Sequence, residues 1–453
     1  TSIVGIELNQ VIQSLSFSVS GLHDGSVEKI VVDGTAISLT NGSGATIING
    51  LNYLVNVTGN TATVTLSTVI GINAAQVQTL VDAMAYVNTS EDPTAGTRTV
   101  TLLQLVDTGG LLNGGTNTQL IGTYADVLVI PVNDMPTLNT VTLPVNSTFI
   151  EGGSAVSLFA STAISTIESL QNIASLTFSV SGLVDGANEV LTFDGTTLGL
   201  ANGLTGTTGS GLTYNISVSS GVATIVLSKP AGVTALDMQS IIDSIQYKNT
   251  SQDPTAGTRT ATLLQIKDTG GVLNAGVDTA LLAISSLIDV IPVNDAPTLS
   301  TITNSGNYEV GDPPFNIFNN AIISTIEAAQ AIKSFTFTVS GLNDGASEHI
   351  KIDGTTINLT NGVVGVTSGN GMVYMVSVSA GTATVTLSNS SGVSAISTQS
   401  IINGMQYENT NANPTGATRY VKLTEIVDTG GILNGGIDAT LLAAESAINV
   451  IAT

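Results

Sequence analysis

Polar and apolar side chains alternate along most of this chain. From Ser175 to Leu183 the apolar positions recur every second residue, the period of a strand with one buried face. The segments 190–193 and 213–218 continue that pattern. Ser219-Ser220-Gly221 then reads as a tight turn into a second alternating run, 222–227, so a hairpin is expected there. Next the period changes. Met238, Ile241, Ile242 and Ile245 follow i, i+3, i+4, i+7, which predicts one short amphipathic helix. Tyr247 opens a short strand, and long strands are predicted over 258–267 and 279–293. Many strands punctuated by Gly, Asn and Pro predict an all-β fold, an antiparallel β-sandwich of immunoglobulin type with one short helix.

The pattern occurs three times. The chain has only three arginines, Arg98, Arg259 and Arg419, spaced 161 and 160 residues apart, and each closes the same kind of Thr/Gly/Ala phrase. Ser-Gly-Leu recurs at Ser20, Ser181 and Ser340, Tyr-x-Asn at Tyr86, Tyr247 and Tyr407, and Asp-Thr-Gly-Gly at Asp107, Asp268 and Asp428. The helix pattern recurs as Val77, Leu80, Val81 and Met84, and again over 399–405. A tandem array of three units is therefore predicted, 1–134, 135–295 and 296–453, in an elongated arrangement. Thr1 aligns with Thr162, so unit 1 lacks the counterpart of Met135 to Ser161, the expected first strand. Two expectations follow: an excised stretch of a longer array, or a subunit whose missing strand comes from a neighbour.

Composition narrows the function. Cysteine and tryptophan are absent, so no disulfide or thiolate site exists and each sandwich is held by apolar packing. The formal charge is −23. Such an acidic chain is not expected to bind nucleic acid or an anionic membrane, but it suits divalent cations. No apolar run has the length of a membrane-spanning helix, so no membrane insertion is expected.

Three phrases carry a family resemblance: Ile291-Pro-Val-Asn-Asp-Ala-Pro-Thr298, Tyr247-Lys-Asn-Thr-Ser-Gln-Asp-Pro254 and Asp268-Thr-Gly-Gly271. They resemble the bacterial cadherin-like repeats of the VNDAPT type, found in giant secreted surface adhesins and biofilm-matrix proteins. The resemblance covers nearly the whole chain. It implies Ca²⁺ bound at domain junctions, an extracellular location at a cell surface or in a matrix, and a stalk role. Here only Asn-Asp remains of the longer acidic linker phrase of animal cadherins.

Strand parity gives each acidic loop an expected pole. The last strand delivers Asn294-Asp295 to the carboxyl pole of its unit, the Asp268 loop then lies at the amino pole, and the 249–257 loop returns to the carboxyl pole. Counting on through the helix and the hairpin puts Asp194 and Glu168 at the carboxyl pole and Asp185 with Glu189 at the amino pole. The junction of units 1 and 2 is thus expected to gather Glu7, Asp33, Asp92, Asn133 and Asp134 from below and Asp185, Glu189 and Asp268 from above. The junction of units 2 and 3 is expected to gather Glu168, Asp194, Asp253, Asn294 and Asp295, facing Asp344, Glu348 and Asp428. Hard cations with six to eight oxygen ligands would relieve the repulsion among these groups. Each Asp-Gly is also an ordinary turn dipeptide, so Asp33, Asp194 and Asp353 have a purely structural reading as well.

Each repeated arginine is expected to form an ion pair pinning the loop near Asn249 and Asp253, and each repeated tyrosine to plug the core with its hydroxyl paired at the rim. The two histidines, His23 and His349, do not align, and no nucleophile elbow, zinc motif or phosphate loop is present, so no enzyme is expected. The function expected is a Ca²⁺-stiffened extender segment of a large adhesin. The alternatives are a subunit of a self-assembling filament, matrix fibre or surface layer, and a carbohydrate-binding module. Expected partners are neighbouring units, copies of the same chain and surface glycans.

Overall fold

A computed structural model describes residues 1–4, 10–142 and 147–452. Three separate apolar cores lie along the chain. One draws on residues from Ile3 to Leu105, the second on Leu138 to Val290, the third on Leu299 to Val450.

The middle unit shows how each is built. Its large sheet runs, edge to edge, through strands Ser147–Ile150, Thr279–Ile291, Gly257–Asp268, Ile173–Ser181, Val222–Val233, Thr213–Ser219 and Leu204–Thr207. Facing it is a four-stranded sheet of Val156–Ser157, Gln246–Asn249, Glu189–Phe193 and Thr196–Gly199. A two-stranded ribbon, Thr137–Thr142 with Ala160–Ser165, completes the unit. Inward positions interdigitate between the sheets: Phe178, Val180, Leu191, Phe193, Ile225, Leu263 and Ile288 have no exposed surface.

The expected hairpin is present. Ser219 pairs with Val222 across a two-residue turn. Ser220 and Gly221 have φ of 49° and 72°, the left-handed pair that matches the twist of the strands. The helix spans Ala235–Asp243, capped by the Thr234 hydroxyl, which accepts from the Asp237 amide. It buries Met238, Ile241 and Ile242, the stripe read from the sequence.

Two expectations need correction. The sandwich is not wholly antiparallel. Ser147–Ile150 pairs in parallel with Thr279–Ile291, Phe149 opposite Val290, and Gly306–Tyr308 repeats this in unit 3 against Glu445–Val450. The partners are far apart in sequence, so no hairpin dictates their direction.

The second correction concerns parity. The helix does not cross the sandwich. Nine residues rising 1.5 Å each make about 13 Å, against roughly 40 Å for the twelve-residue strand before it. It starts and ends at the amino pole. Val233, before it, lies beside Ile173, which also neighbours Asp268, and the strand after it runs from Gln246 to Asn249 back to the carboxyl pole. Every assignment made by counting through the helix is therefore inverted. Asp185 and Glu189 lie at the carboxyl pole, with Asn249 and Arg259, while Asp194 and Glu168 lie at the amino pole. In unit 3, Asp344 and Glu348 likewise lie at the carboxyl pole, beside Arg419 and Asn409.

Candidate functional site

Two kinds of acidic cluster occur, and they differ in whether a cation of the chain itself answers them. The first sits inside each unit. Arg98, Arg259 and Arg419 are almost wholly buried, as are Glu28, Glu189 and Glu348. Arg259 Nη2 donates to Glu189 Oε1 at 2.8 Å and to Asp185 Oδ2 at 3.1 Å and also reaches the Thr255 carbonyl, while Nη1 donates to the Gly257 carbonyl. Arg98 holds Glu28 and Asp24 in the same way, and Arg419 holds Glu348 and Asp344. The aspartate also accepts from the 249–257 loop: Asn249 Nδ2 at 2.7 Å and the Thr255 amide and hydroxyl. One arginine thus ties two carboxylates, a loop and a strand end together.

Asp185, Glu189, Asp344 and Glu348, expected to face a junction from above, are instead committed to this network. The tyrosine plugs belong to it too. Tyr86 and Tyr407 donate to Glu28 and Glu348 at 2.7 Å, while the buried Tyr247 hydroxyl has no hydrogen-bond partner among the described residues. Burial, then the bond to Glu28, pushes the Tyr86 hydroxyl up to about 12.

The second kind sits between units. The linker residue Asn133 donates from Nδ2 to Asp268 Oδ1 at 3.2 Å and to the Val277 carbonyl at 2.7 Å, and its own carbonyl accepts from the Val277 amide at 2.8 Å. The next amide, Asp134, donates to Glu168 Oε1 at 2.7 Å. Asp92 reaches the Ser169 amide at 3.3 Å. The second junction repeats this set. Asn294 bonds to Asp428 at 3.1 Å and to the Ile437 carbonyl at 2.8 Å, Asp295 N donates to Glu327 at 2.7 Å, and Asp253 accepts from the Ala328 amide at 3.4 Å. Glycine makes the room: a Cβ on Gly270 would lie 1.8 Å from Asn133 Oδ1, and one on Gly430 1.9 Å from Asn294 Oδ1.

Among the described residues, no cation of the chain answers these oxygens. Buried and without a hydrogen-bond partner are Asn133 Oδ1, Glu168 Oε2, Gln171 Oε1 and Asp268 Oδ2 at the first junction. At the second, Asn294 Oδ1, Glu327 Oε2, Gln330 Oε1, Asp428 Oδ2 and Glu151 Oε1 are in the same position. Buried oxygens without donors are costly, and these fall into two matching groups. Burial, first of all, raises the Asp268, Glu327 and Asp428 carboxyls above the usual range. Glu151 rises to about 7, through burial and the charges of Asp295, Glu327 and Asp253, against one bond from the Val293 amide. Among the described residues no three His, Cys, Asp or Glu side chains are grouped to hold a metal by themselves. The unpartnered set mixes carboxylates with Asn and Gln amide oxygens, the hard, mixed donors that Ca²⁺ accepts.

Of the residues singled out in the sequence, Asp92, Asn133, Asp134 and Asp268 meet at the first junction. Asp253, Asn294, Asp295 and Asp428 meet at the second. Glu168 belongs to the first junction rather than the second. Asp33 and Asp194 form turns within their units: both have positive φ, Asp33 accepts from the Asn49 amide and Asp194 from the Ser210 amide, each at 2.8 Å. Glu7 lies outside the described residues. Glu327, Gln171 and Gln330 were not singled out, yet the repeat register carried them, since Glu327 is the counterpart of Glu168. Glu151 was not singled out.

No protein-family profile matches the sequence, and no curated protein matches it. Solved structures with a similar course of chain include protocadherin gammaB7 EC3–6, at 10 % identity, covering 94 % of this chain and 67 % of that one, with a TM-score of 0.25. Mouse protocadherin-24 EC1–3 is similar at 12 % identity, 93 % of both chains and a TM-score of 0.25. The T6 backbone pilin of serotype M6 Streptococcus pyogenes is similar at 10 % identity, 99 % of this chain, 81 % of that one and a TM-score of 0.18.

Proposed function

We propose that this chain is a non-enzymatic, Ca²⁺-stiffened extender segment of an extracellular adhesive or structural protein, with units 1–134, 135–295 and 296–453. The observation that supports this reading is the pair of matching junctions whose buried oxygens lack donors. Asn133, Glu168, Gln171 and Asp268 would hold an ion at the first, with Asp92 and Asp134 alongside. Glu151, Asn294, Glu327, Gln330 and Asp428 would do so at the second, with Asp253 and Asp295 alongside. Bound there, Ca²⁺ would supply positive charge to otherwise unanswered oxygens and so fix the angle between units. Small-angle scattering with Ca²⁺ and with chelator tests this. The maximum dimension should change on chelation while each unit stays folded, and no change would sink the reading.

A second reading, a self-assembling subunit completed by a neighbour's strand, is favoured by one observation. Met84, Tyr86, Leu102 and Val129 of unit 1 are half-exposed, whereas their counterparts Ile245, Tyr247, Leu263 and Val290 are buried. Electron microscopy separates the readings: isolated rods fit the extender, continuous fibres the subunit.

A further inference from the structure

The linker asparagine is held at both junctions by the following unit, through protein groups alone. The holding surface has four parts: a glutamine, an aspartate whose Oδ1 also takes the amide two residues on, a glycine that leaves space, and a backbone edge that offers one amide and one carbonyl. In unit 2 these are Gln171, Asp268, Gly270 and Val277, and in unit 3 Gln330, Asp428, Gly430 and Ile437.

Unit 1 carries the same surface, already shaped. Gly109 N donates to Asp107 Oδ1 at 2.7 Å, matching 2.9 Å at Gly270 and at Gly430. Asp107 N donates to the Asn117 carbonyl at 2.9 Å, as Asp268 does to Asp278 and Asp428 to Asp438. Thr108 N reaches the Val11 carbonyl just as Thr269 and Thr429 reach theirs. Asn113, Asn274 and Asn434 share a left-handed φ of 54–56° that turns the loop. Gln10 Nε2 lies 2.7 Å from where a Cβ on Gly109 would be, against 2.4 Å for Gln171 and Gln330 at their glycines. Two things differ: Gly271 and Gly431 have left-handed φ of 82° and 84°, which Gly110 does not share, and the cover. Asp107 is half-exposed, while Asp268 and Asp428 are buried.

We infer that the amino pole of unit 1 is a preformed docking socket for an extended Val-Asn-Asp-x-Pro segment, the linker at the carboxyl pole of a further unit of this type. The argument is continuity: the same surface on units 2 and 3 is covered by that segment, at 132–136 and 293–297. The incoming asparagine places Nδ2 between Asp107 Oδ1 and the carbonyl of Thr116, which stands in register with Val277. Its Oδ1 fills the space over Gly109. A surface already in its bound shape loses little order on binding. Gln10 and Asp107 are counterparts of groups proposed above to hold an ion, so binding is measured in chelator, where the socket stands or falls separately from the calcium reading.

The test uses the whole chain and a fluorescent peptide with the sequence of residues 291–298. Saturable binding is expected, followed by anisotropy. Replacing the peptide's asparagine by alanine should weaken it at least tenfold. Gly109→Ala should do the same, since the added Cβ occupies the Oδ1 space, 2.7 Å from Gln10 Nε2 and 2.8 Å from Asp107 Oδ1. Leu54→Ala, at an exposed side chain outside the socket, should leave binding unchanged. Absence of saturable binding, or equal binding of the alanine peptide or by Gly109→Ala, overturns the proposal.

Discussion

Arg259 reaches two carboxylates and two carbonyls while only 1 % exposed. Removing it strands Glu189, which has no exposed surface, and frees the 249–257 loop. Breaking a buried pair from one side costs about 3–5 kcal/mol. Arg259→Ala is expected to destabilise unit 2 by that order, and Arg259→Lys to recover only part, because an ammonium lacks the planar fork. Domain-resolved denaturant unfolding checks it: units 1 and 3 should keep their midpoints, and a uniform loss across all three would contradict a local role. The arginine was legible in the sequence as an ion pair because it recurs in register. Its partners were not. They lie 70 and 74 residues earlier, and only the folded register shows that they share its pole.

At the scale of elements, short local signals read well and long-range placement did not. The 219–222 hairpin and the 235–243 helix follow from local chemistry: a two-residue turn, a capping threonine and a 3.6-residue stripe. The short strands Thr196–Gly199 and Leu204–Thr207 carry too little alternation to be seen beforehand. The helix that returns to its own pole inverted the expected positions of Asp185, Glu189, Asp194 and Glu168, and nothing in its periodicity says which way it lies. Glu151, at the end of the parallel edge strand, has a consequence that can be measured. Its carboxyl rises from 4.5 to about 7. A group raised above its unfolded value stabilises the fold in its protonated form. In chelator, its contribution is thus present below about 4.5 and lost as pH rises through about 7. Thermal unfolding in chelator should therefore show unit 2 losing stability from pH 5 to 8. Glu151→Gln should flatten that slope, and an unchanged slope would mean that Glu151 titrates elsewhere.

Across the whole molecule, tandem repetition was the most legible property, because three arginines in register need no folding model to be seen. Thirty-three acidic residues against ten basic ones leave most carboxylates without a cation of the chain, and the two junctions concentrate that excess. The array also differs from unit to unit, although the sequence repeats. Units 2 and 3 bury an edge aromatic, Phe149 or Tyr308, against the repeated tyrosine at 5.9 and 5.6 Å, both edge to face. Tyr86 in unit 1 has no such partner among the described residues, and the positions around it are open to water. Each half-exposed side chain forfeits part of the roughly 1.5–3 kcal/mol that full burial of a large apolar group contributes. In an array, stability is a sum of unit and neighbour terms, so the deficit stays local. Hydrogen exchange on the intact chain should therefore find unit 1 opening first. The Ile12–Ser20 strand should exchange faster than its counterparts Ile173–Ser181 and Ile332–Ser340, which occupy the same central place in their sheets. Equal protection of the three strands would mean that the open face of unit 1 costs nothing, and would remove the ground for reading it as an acceptor of a strand.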